Sequence, residues 1–220
     1  MELDSLTRRQ LLDGDWSAKQ AGSLFHREWF TDHIVDGPPA NAKMLRQIRF
    51  WDLAATDALD GDDPDYTVGL LLGLCEDGNY YILHVNRFRK SPHQVEKSIA
   101  IQAAIDGRLS TSIWMEQEPG ASGKITIDNF RRNILRGYVF RGDRPTGSKL
   151  ERARPVSAAA EAGLIKLVRG PWLNALLDEL EAFPYSNHKD QVDALSGAYA
   201  KINVRMRPTK RTRTQTTIWS

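Results

Sequence analysis

Three apolar runs follow one another between Ile48 and Phe88, with only short polar breaks between them. Ile48–Ala54 reads as a strand, Asp57–Pro64 as a polar, acidic turn, and Tyr66–Cys75 as a second strand. Glu76-Asp77-Gly78-Asn79 carries a hairpin signal, and Tyr80–Phe88 follows as a third strand. Turns this short join antiparallel neighbours, so the first half of the chain is expected to form a meander.

The pattern then changes. Ser91-Pro92 opens a helix, with Ser91 at the N-cap and Pro92 in the first turn, and the helix runs through Val95, Ile99 and Ile105 to Gly107. Thr111–Glu116 is a fourth strand. Gly120–Gly123 reads as a glycine-containing turn, Ile125–Leu135 as a helix and Tyr138–Phe140 as a fifth strand. Lys149–Ala162 is helical, with Pro155 marking a break or a start, and Leu164–Val168 is a short strand. Pro171–Phe183 is amphipathic, with Trp172, Leu176, Leu177 and Leu180 on one face, and His188–Ile202 is the last helix. A meander followed by alternating helix and strand predicts an α/β fold with a mixed sheet and flanking helices.

The flanks differ from this core. Residues 1–42 read as a lead-in: Leu6–Leu12 is a short helical pattern, Phe25–Phe30 an aromatic-rich island and Gly37-Pro38-Pro39 a loop. The core domain is expected over 43–203, and 204–220 is a basic tail. Lys201, Arg205, Arg207, Lys210, Arg211 and Arg213 are met there by no acidic residue, a pattern that draws a chain toward phosphates, although the net charge is only +2. Cys75 is the sole cysteine, so neither an internal disulfide nor a cysteine zinc cluster is expected. No apolar stretch is long enough to span a membrane, and Met1–Gln20 is too polar for a secretory signal. The natural reading is cytosolic.

Carboxylates stand where a sheet end would present them. Asp52 sits within the first strand between Trp51 and Leu53, an unfavourable place unless something compensates the charge. Glu116 ends the fourth strand and Glu118 lies two residues on. Glu116 is favoured, because Pro119-Gly120 marks a chain that has already turned by Glu118. Asp190 and Asp193 open the last helix on one face. One reading has them serve only the helix dipole, with Asp190 as the cap. Yet Val192, Ala194, Leu195 and Ala198 make that helix a buried one. Hard oxygen donors from two strands and a helix suit Mg2+ or Mn2+, and two such ions would clamp both oxygens of a phosphodiester displacement. His188, close to Asp190, is more simply structural, with proton transfer or phosphate contact as its other reading.

Taken in order, several segments resemble the C-terminal nuclease domain of phage terminase large subunits. They are Arg49–Thr56, Asp65–Gly69, Trp114–Lys124, Lys149–Gly163 and His188–Ser196, together covering about 46–202. The lead-in Leu6–Phe30, and Leu11–Trp16 in particular, resembles the end of the ATPase domain that precedes the nuclease domain in this family. The resemblance implies a ribonuclease H-like fold and a metal-dependent endonuclease cutting viral DNA around packaging, in the cytoplasm of the infected or lysogenic bacterial host. It places the family's first-strand acid on Asp52, its central glutamate on Glu116 and its helix acid on Asp190, with Asp193 a turn further. Mg2+ or Mn2+, in two sites, would be the cofactor. Lys189 replaces the first of two aspartates that often follow the histidine, and Asp65 matches an acid near the second strand.

The partners implied are double-stranded DNA, the terminase ATPase domain, the small subunit and the portal, with no membrane. Lys124, Lys149, Arg152 and Arg154 are the candidate phosphate contacts, which would give cleavage with little base preference. No G-x-x-x-x-G-K-[ST] loop occurs, so ATP hydrolysis is not expected, and the chain is read as a fragment or the product of a truncated or split gene. Two other readings use the same residues. One is a different ribonuclease H-like nuclease, such as a junction resolvase. The other is a non-catalytic DNA-binding remnant whose acids are structural.

Overall fold

The computed structural model describes residues 23–54 and 65–204. The Leu6–Leu12 helix, the Asp57–Pro64 turn and the basic tail from 205 onward lie outside the described residues. A short helix α1 (Glu28–Thr31) and a two-residue strand β1 (Ile34–Val35) precede the meander of β2 (Met44–Asp52), β3 (Thr67–Cys75) and β4 (Tyr80–Phe88). Helix α2 (Pro92–Asp106) leads to β5 (Ser112–Glu116). Helix α3 (Gly120–Asn129), prolonged by a π-helical turn over Phe130–Ile134, leads to β6 (Phe140–Asp143). Then come α4 (Lys149–Glu161), β7 (Ile165–Val168), α5 (Leu173–Ala182) and α6 (Asp190–Ile202).

The seven strands form one sheet in the order β1-β7-β4-β3-β2-β5-β6. β2, β3 and β4 pair antiparallel, as the short turns require, while β5, β6, β7 and β1 join in parallel through helical crossovers. The result is a mixed α/β sheet with helices on both faces, consistent with the ribonuclease H-like expectation. β3 is central and buried on both sides along nearly its whole length, which is why its sequence is continuously apolar rather than alternating.

Alternation along β2 separates two cores. Ile48 and Phe50 join the larger one under α4, α5 and α6, with Val156, Leu177, Val192 and Leu195. Trp51 joins the smaller one under α2, α3 and the π-helical turn, with Ile99, Ile113, Ile127 and Phe130. The aromatic island of the lead-in belongs to the larger core, where Phe25 and Phe30 are fully buried. Arg49, buried on the smaller-core side, donates from Nε and Nη2 to both oxygens of Asp106 at 2.7 Å and from Nη1 to Gly69 O at 2.9 Å. That fork fastens the C-terminal end of α2 to the sheet.

Several local expectations are corrected. The first strand ends at Asp52 instead of running on to Ala54, so Asp52 is a strand-end residue. Gly120–Gly123 starts helix α3 rather than forming a turn: Gly120, at φ 93°, makes the bend, and a Cβ on Gly123 would lie 2.1 Å from Glu118 O. Pro155 neither breaks nor starts α4, which begins at a capping box of Ser148 and Glu151. The fifth strand falls two residues later than expected, on Phe140–Asp143, and β1 has too few residues to show a periodicity.

Helix α6 begins at Asp190, not His188, and Asp190 is not its cap. That role passes to Glu179 of α5, which is 7% exposed. Its Oε1 accepts from Gln191 N at 2.6 Å and Val192 N at 3.2 Å, and its Oε2 from Gln191 Nε2 at 2.7 Å. A carboxylate on the first free N–H groups suits the positive end of the helix dipole. Further along, α6 lies close on β2 because Gly197 faces Phe50, and a Cβ there would sit 2.4 Å from the Phe50 ring.

Two stability predictions come from these anchors. Glu179→Ala strands two buried N–H groups and should cost about 3 kcal/mol in urea unfolding. Gly197→Ala gains about 1 kcal/mol of helix propensity but must displace a fully buried ring, so a net loss of about 1–2 kcal/mol is expected. An unchanged unfolding midpoint for either variant would remove that contact from the account of how α6 is held.

Candidate metal centre

Asp52 closes β2 and Glu116 closes β5. The strands are parallel neighbours with Trp51 in register with Met115, so the two carboxylates leave the same sheet end side by side. Asp52 has the parity of Phe50 and Glu116 that of Trp114, and both packed side chains face the larger core. Both acids therefore point to the face covered by α6, whose first turn brings Asp190 and Asp193, 6% and 2% exposed. The structure thus gathers all four predicted acids at one place, while Glu118 is exposed beyond the strand.

Their proximity is electrostatically expensive. Burial pushes the Asp52 carboxyl well above the usual carboxylate range, and the charges of Glu116, Asp193 and Asp190 push it further, against Lys149. Burial likewise raises Glu116, with Arg152 opposing and Asp193 adding. Burial raises Asp190, with the Tyr66 N–H opposing at 2.9 Å from Oδ2 and Asp65 adding.

Two side chains of α4, one turn apart, offset part of this charge. Arg152 donates from Nη1 to Glu116 Oε2 at 3.1 Å and from Nη2 to Asp193 Oδ1 at 3.0 Å. Lys149 Nζ lies 2.5 Å from Asp193 Oδ2. Burial works against the Lys149 charge, but Asp193, Asp52 and Asp190 outweigh it and hold its pKa above the ordinary lysine value. The phosphate contacts expected of Lys149 and Arg152 are thus met here by carboxylates. Lys124 and Arg154 are exposed and make no ion pair among the described residues. Lys124 lines an open depression with Ile125, Asp128, Asn129, Arg132 and Asn133, none of them a residue of the acid cluster.

A second grouping shares Asp190. Asp65, His188 and Asp190 each offer one ligand atom, all within 4.8 Å of one another, and His188 Nδ1 is 3.9 Å from Asp65 Oδ1. The donors over both groupings are carboxylate oxygens with one imidazole at the edge, a hard set that fits Mg2+ or Mn2+. The burial and mutual repulsion that raise these carboxyls are penalties on the charged form that a bound cation would offset.

Four contributors were not anticipated from sequence. Glu179 sits three residues after Leu176 on the apolar face of α5, and a glutamate inside such a stripe is the signal that was available. Arg87 near the end of β4 and Arg89 just beyond it stand two residues apart, a readable pattern beside the acids. The Tyr66 backbone N–H left no trace in residue type.

Comparison with known proteins places this geometry. The large terminase nuclease from thermophilic phage G20c is similar at TM-score 0.54 and 16% identity, over 81% of this chain and 98% of that one. The same nuclease with bound magnesium gives 0.53 and 16%, over 83% and 98%. The human cytomegalovirus terminase nuclease domain, manganese-soaked and inhibitor-bound, gives 0.59 and 14%, over 84% and 100%. At such identities the likeness speaks for the fold. A search of curated proteins found no match. The model of the terminase RNaseH-like domain matches residues 49–202, a span that holds every acid of the two groupings. The chain belongs to the terminase RNaseH-like domain family.

Proposed function

We propose that this chain is a metal-dependent endonuclease that cuts double-stranded viral DNA during genome packaging, as the nuclease domain of a terminase large subunit. The observation that carries the reading is the convergence of Asp52, Glu116, Asp190 and Asp193 from two strand ends and one helix start, with Asp52 driven up by burial and then by the charges of the other three. These four are the proposed ligands of Mg2+ or Mn2+, and the membership of Asp190 in the second grouping with Asp65 and His188 supports two ions. Bound divalent ions would supply an activated water and neutralise charge on the phosphodiester. Relatives described with magnesium and manganese support the choice of metal.

The chain's own residues have distinct tasks in this reading. Asp52 and Glu116 are fixed by sheet register, and Asp190 is oriented by the Tyr66 N–H. Lys149 and Arg152 neutralise Asp193 and Glu116 in the ion-free chain, and become available to phosphate oxygens once those acids are engaged. Lys124 and Arg154 extend the proposed DNA contact. An ATPase domain, a small subunit and a portal are the proposed partners, and the cytoplasm of the bacterial host is the proposed setting. No helix among the described residues is long and apolar enough to cross a membrane.

One observation favours the alternative of a non-catalytic DNA-binding remnant: Arg152 and Lys149 already supply positive charge inside the acid cluster. The two readings part on activity. Asp52→Asn should keep the fold, relieve repulsion and abolish Mg2+- or Mn2+-dependent cleavage of linear duplex. Asp190→Ala should do the same, whereas Asp193→Ala, whose carboxylate serves the basic pair, should leave a weak residue of activity. A wild-type chain that never cuts duplex in either ion supports the remnant. A more damaging Asp193 variant reverses the ligand assignment.

A pH dependence also follows. Asp52, Glu116 and Asp190 hold their protons more tightly folded than unfolded. That contribution to stability is present at low pH and is lost as pH rises from about 4 through the raised folded values. Ions bind only the deprotonated acids. Millimolar Mn2+ should therefore raise the melting temperature at neutral pH and leave it nearly unchanged near pH 4. An equal shift at both values would speak against binding at these carboxylates.

A further inference from the structure

Past the last paired residues of β5 and β6 the two chains stay together for one more step. Glu116 is in register with Asp143, and Gln117 N donates to Asp143 O at 2.6 Å. Gln117 and Arg144 therefore leave the sheet side by side, and Pro145 disfavours a helical backbone at Arg144. Their side chains are joined. The Gln117 carboxamide, oriented by its hydrogen bonds with the oxygen toward Arg144, accepts from Nε at 2.9 Å and from Nη2 at 3.0 Å. Gln117 is half-buried and Arg144 is exposed.

Carboxylates flank both residues, yet the guanidinium is held by the amide. Asp143 directly precedes Arg144 and is engaged by Lys201, whose Nζ lies 2.5 Å from Oδ1. Glu116 and Glu118 stand on either side of Gln117. Glu116 is engaged by Arg152, and Glu118 is exposed. Among the described residues Arg144 makes no ion pair. Lys149, Arg152 and Lys201 are spent on acids around this sheet end, and Arg144 is not.

A neutral partner leaves the charge of Arg144 whole. The two N–H groups on Gln117 fill the lone pairs of the amide oxygen, so the pair keeps donors and no free acceptor. A positive charge with spare N–H groups in a planar fork suits an oxyanion. Its place selects which one. Gln117 follows Glu116 directly, their Cα atoms about 3.8 Å apart, so the pair borders the acid cluster on the β6 side. We propose that Arg144, held by Gln117, binds a backbone phosphate of the DNA strand beside the phosphodiester at the acids. The contact rests on the nuclease reading and deepens it, by fixing where the strand runs toward the β6 edge of the site. Gln117 is a positioning residue here: it fixes the fork and keeps it from the carboxylates on either side.

The test is the salt dependence of duplex binding by the whole chain. Fluorescence anisotropy in EDTA, with one labelled linear duplex of mixed sequence and one of A·T pairs only, gives the slope of log affinity against log salt. Each phosphate contact contributes about 0.9 to that slope. Arg144→Gln should lower it by that amount on both duplexes, so a fourfold rise in salt costs the variant about 3.5-fold less affinity than wild type. Gln117→Glu should lower it as much although Arg144 is retained, because a carboxylate in that place cancels the charge. The same variant keeps the two chain ends joined, so a bond that merely clips them would leave its slope and its melting temperature at wild-type values. The rise in melting temperature with Mn2+ should persist in Arg144→Gln; its loss would move the effect to the acids and overturn the assignment. Wild-type slopes in both variants, with wild-type protein binding and cutting duplex, overturn the contact and leave the nuclease reading intact. A loss confined to the mixed-sequence duplex replaces the phosphate by a guanine edge and also overturns it. A wild-type chain that neither binds nor cuts duplex overturns both readings.

Discussion

The mutual repulsion of Asp52, Glu116, Asp190 and Asp193 is the constraint around which the rest of the molecule is arranged. Four carboxylates at one sheet end, two of them almost wholly buried, destabilise the chain that holds them. Each could move apart if its element were loose. None of the elements is loose. β2 lies between β3 and β5, and its last residue, Asp52, pairs with Val68 of β3 directly after Trp51 pairs with Met115 of β5. The helix that brings the other two acids has to be held against the sheet by forces located elsewhere along its length.

Those forces act behind the acids. Glu179 takes the first free N–H groups of α6, which leaves the carboxylates of Asp190 and Asp193 out of the capping role aspartates at a helix start usually fill. Gly197 lets the helix axis come down onto Phe50. A buried glutamate therefore does the capping from α5, and the two aspartates are left to face the site. The same division appears at α4, where Ser148 and Glu151 cap the helix and its start sends Lys149 and Arg152 into the acid cluster. Local helix chemistry is satisfied by residues other than those that line the site.

Much of this was legible in the chain, and what was not has physical causes. The meander, the order of helices and strands and the four acids followed from apolar runs, turn residues and carboxylates at their ends. Gly120–Gly123 misled because glycine serves both turns and tight helix starts, and only the close approach to Glu118 O settles which. Pro155 misled because a proline in a helix is tolerated when the lost hydrogen bond falls on an exposed side, as Pro155 itself is. Lys149 and Arg152 were read as phosphate contacts because a sequence reports charge without reporting what stands opposite it. Glu179 and the Tyr66 N–H act across long sequence separations, Glu179 on the helix start twelve residues on and Tyr66 on Asp190. No periodicity within one element encodes such contacts.

The basic residues of α4 answer the same repulsion from the other side. Arg152 and Lys149 are held by carboxylates, Arg152 by Glu116 and Asp193 and Lys149 by Asp193, so their charge is largely spent on the cluster. Placed one turn apart on a helix whose start is capped by other residues, they reach acids that come from a strand end and from a second helix. Two cations fixed in this way keep three elements together at the one point where the charge of the acids would push them apart.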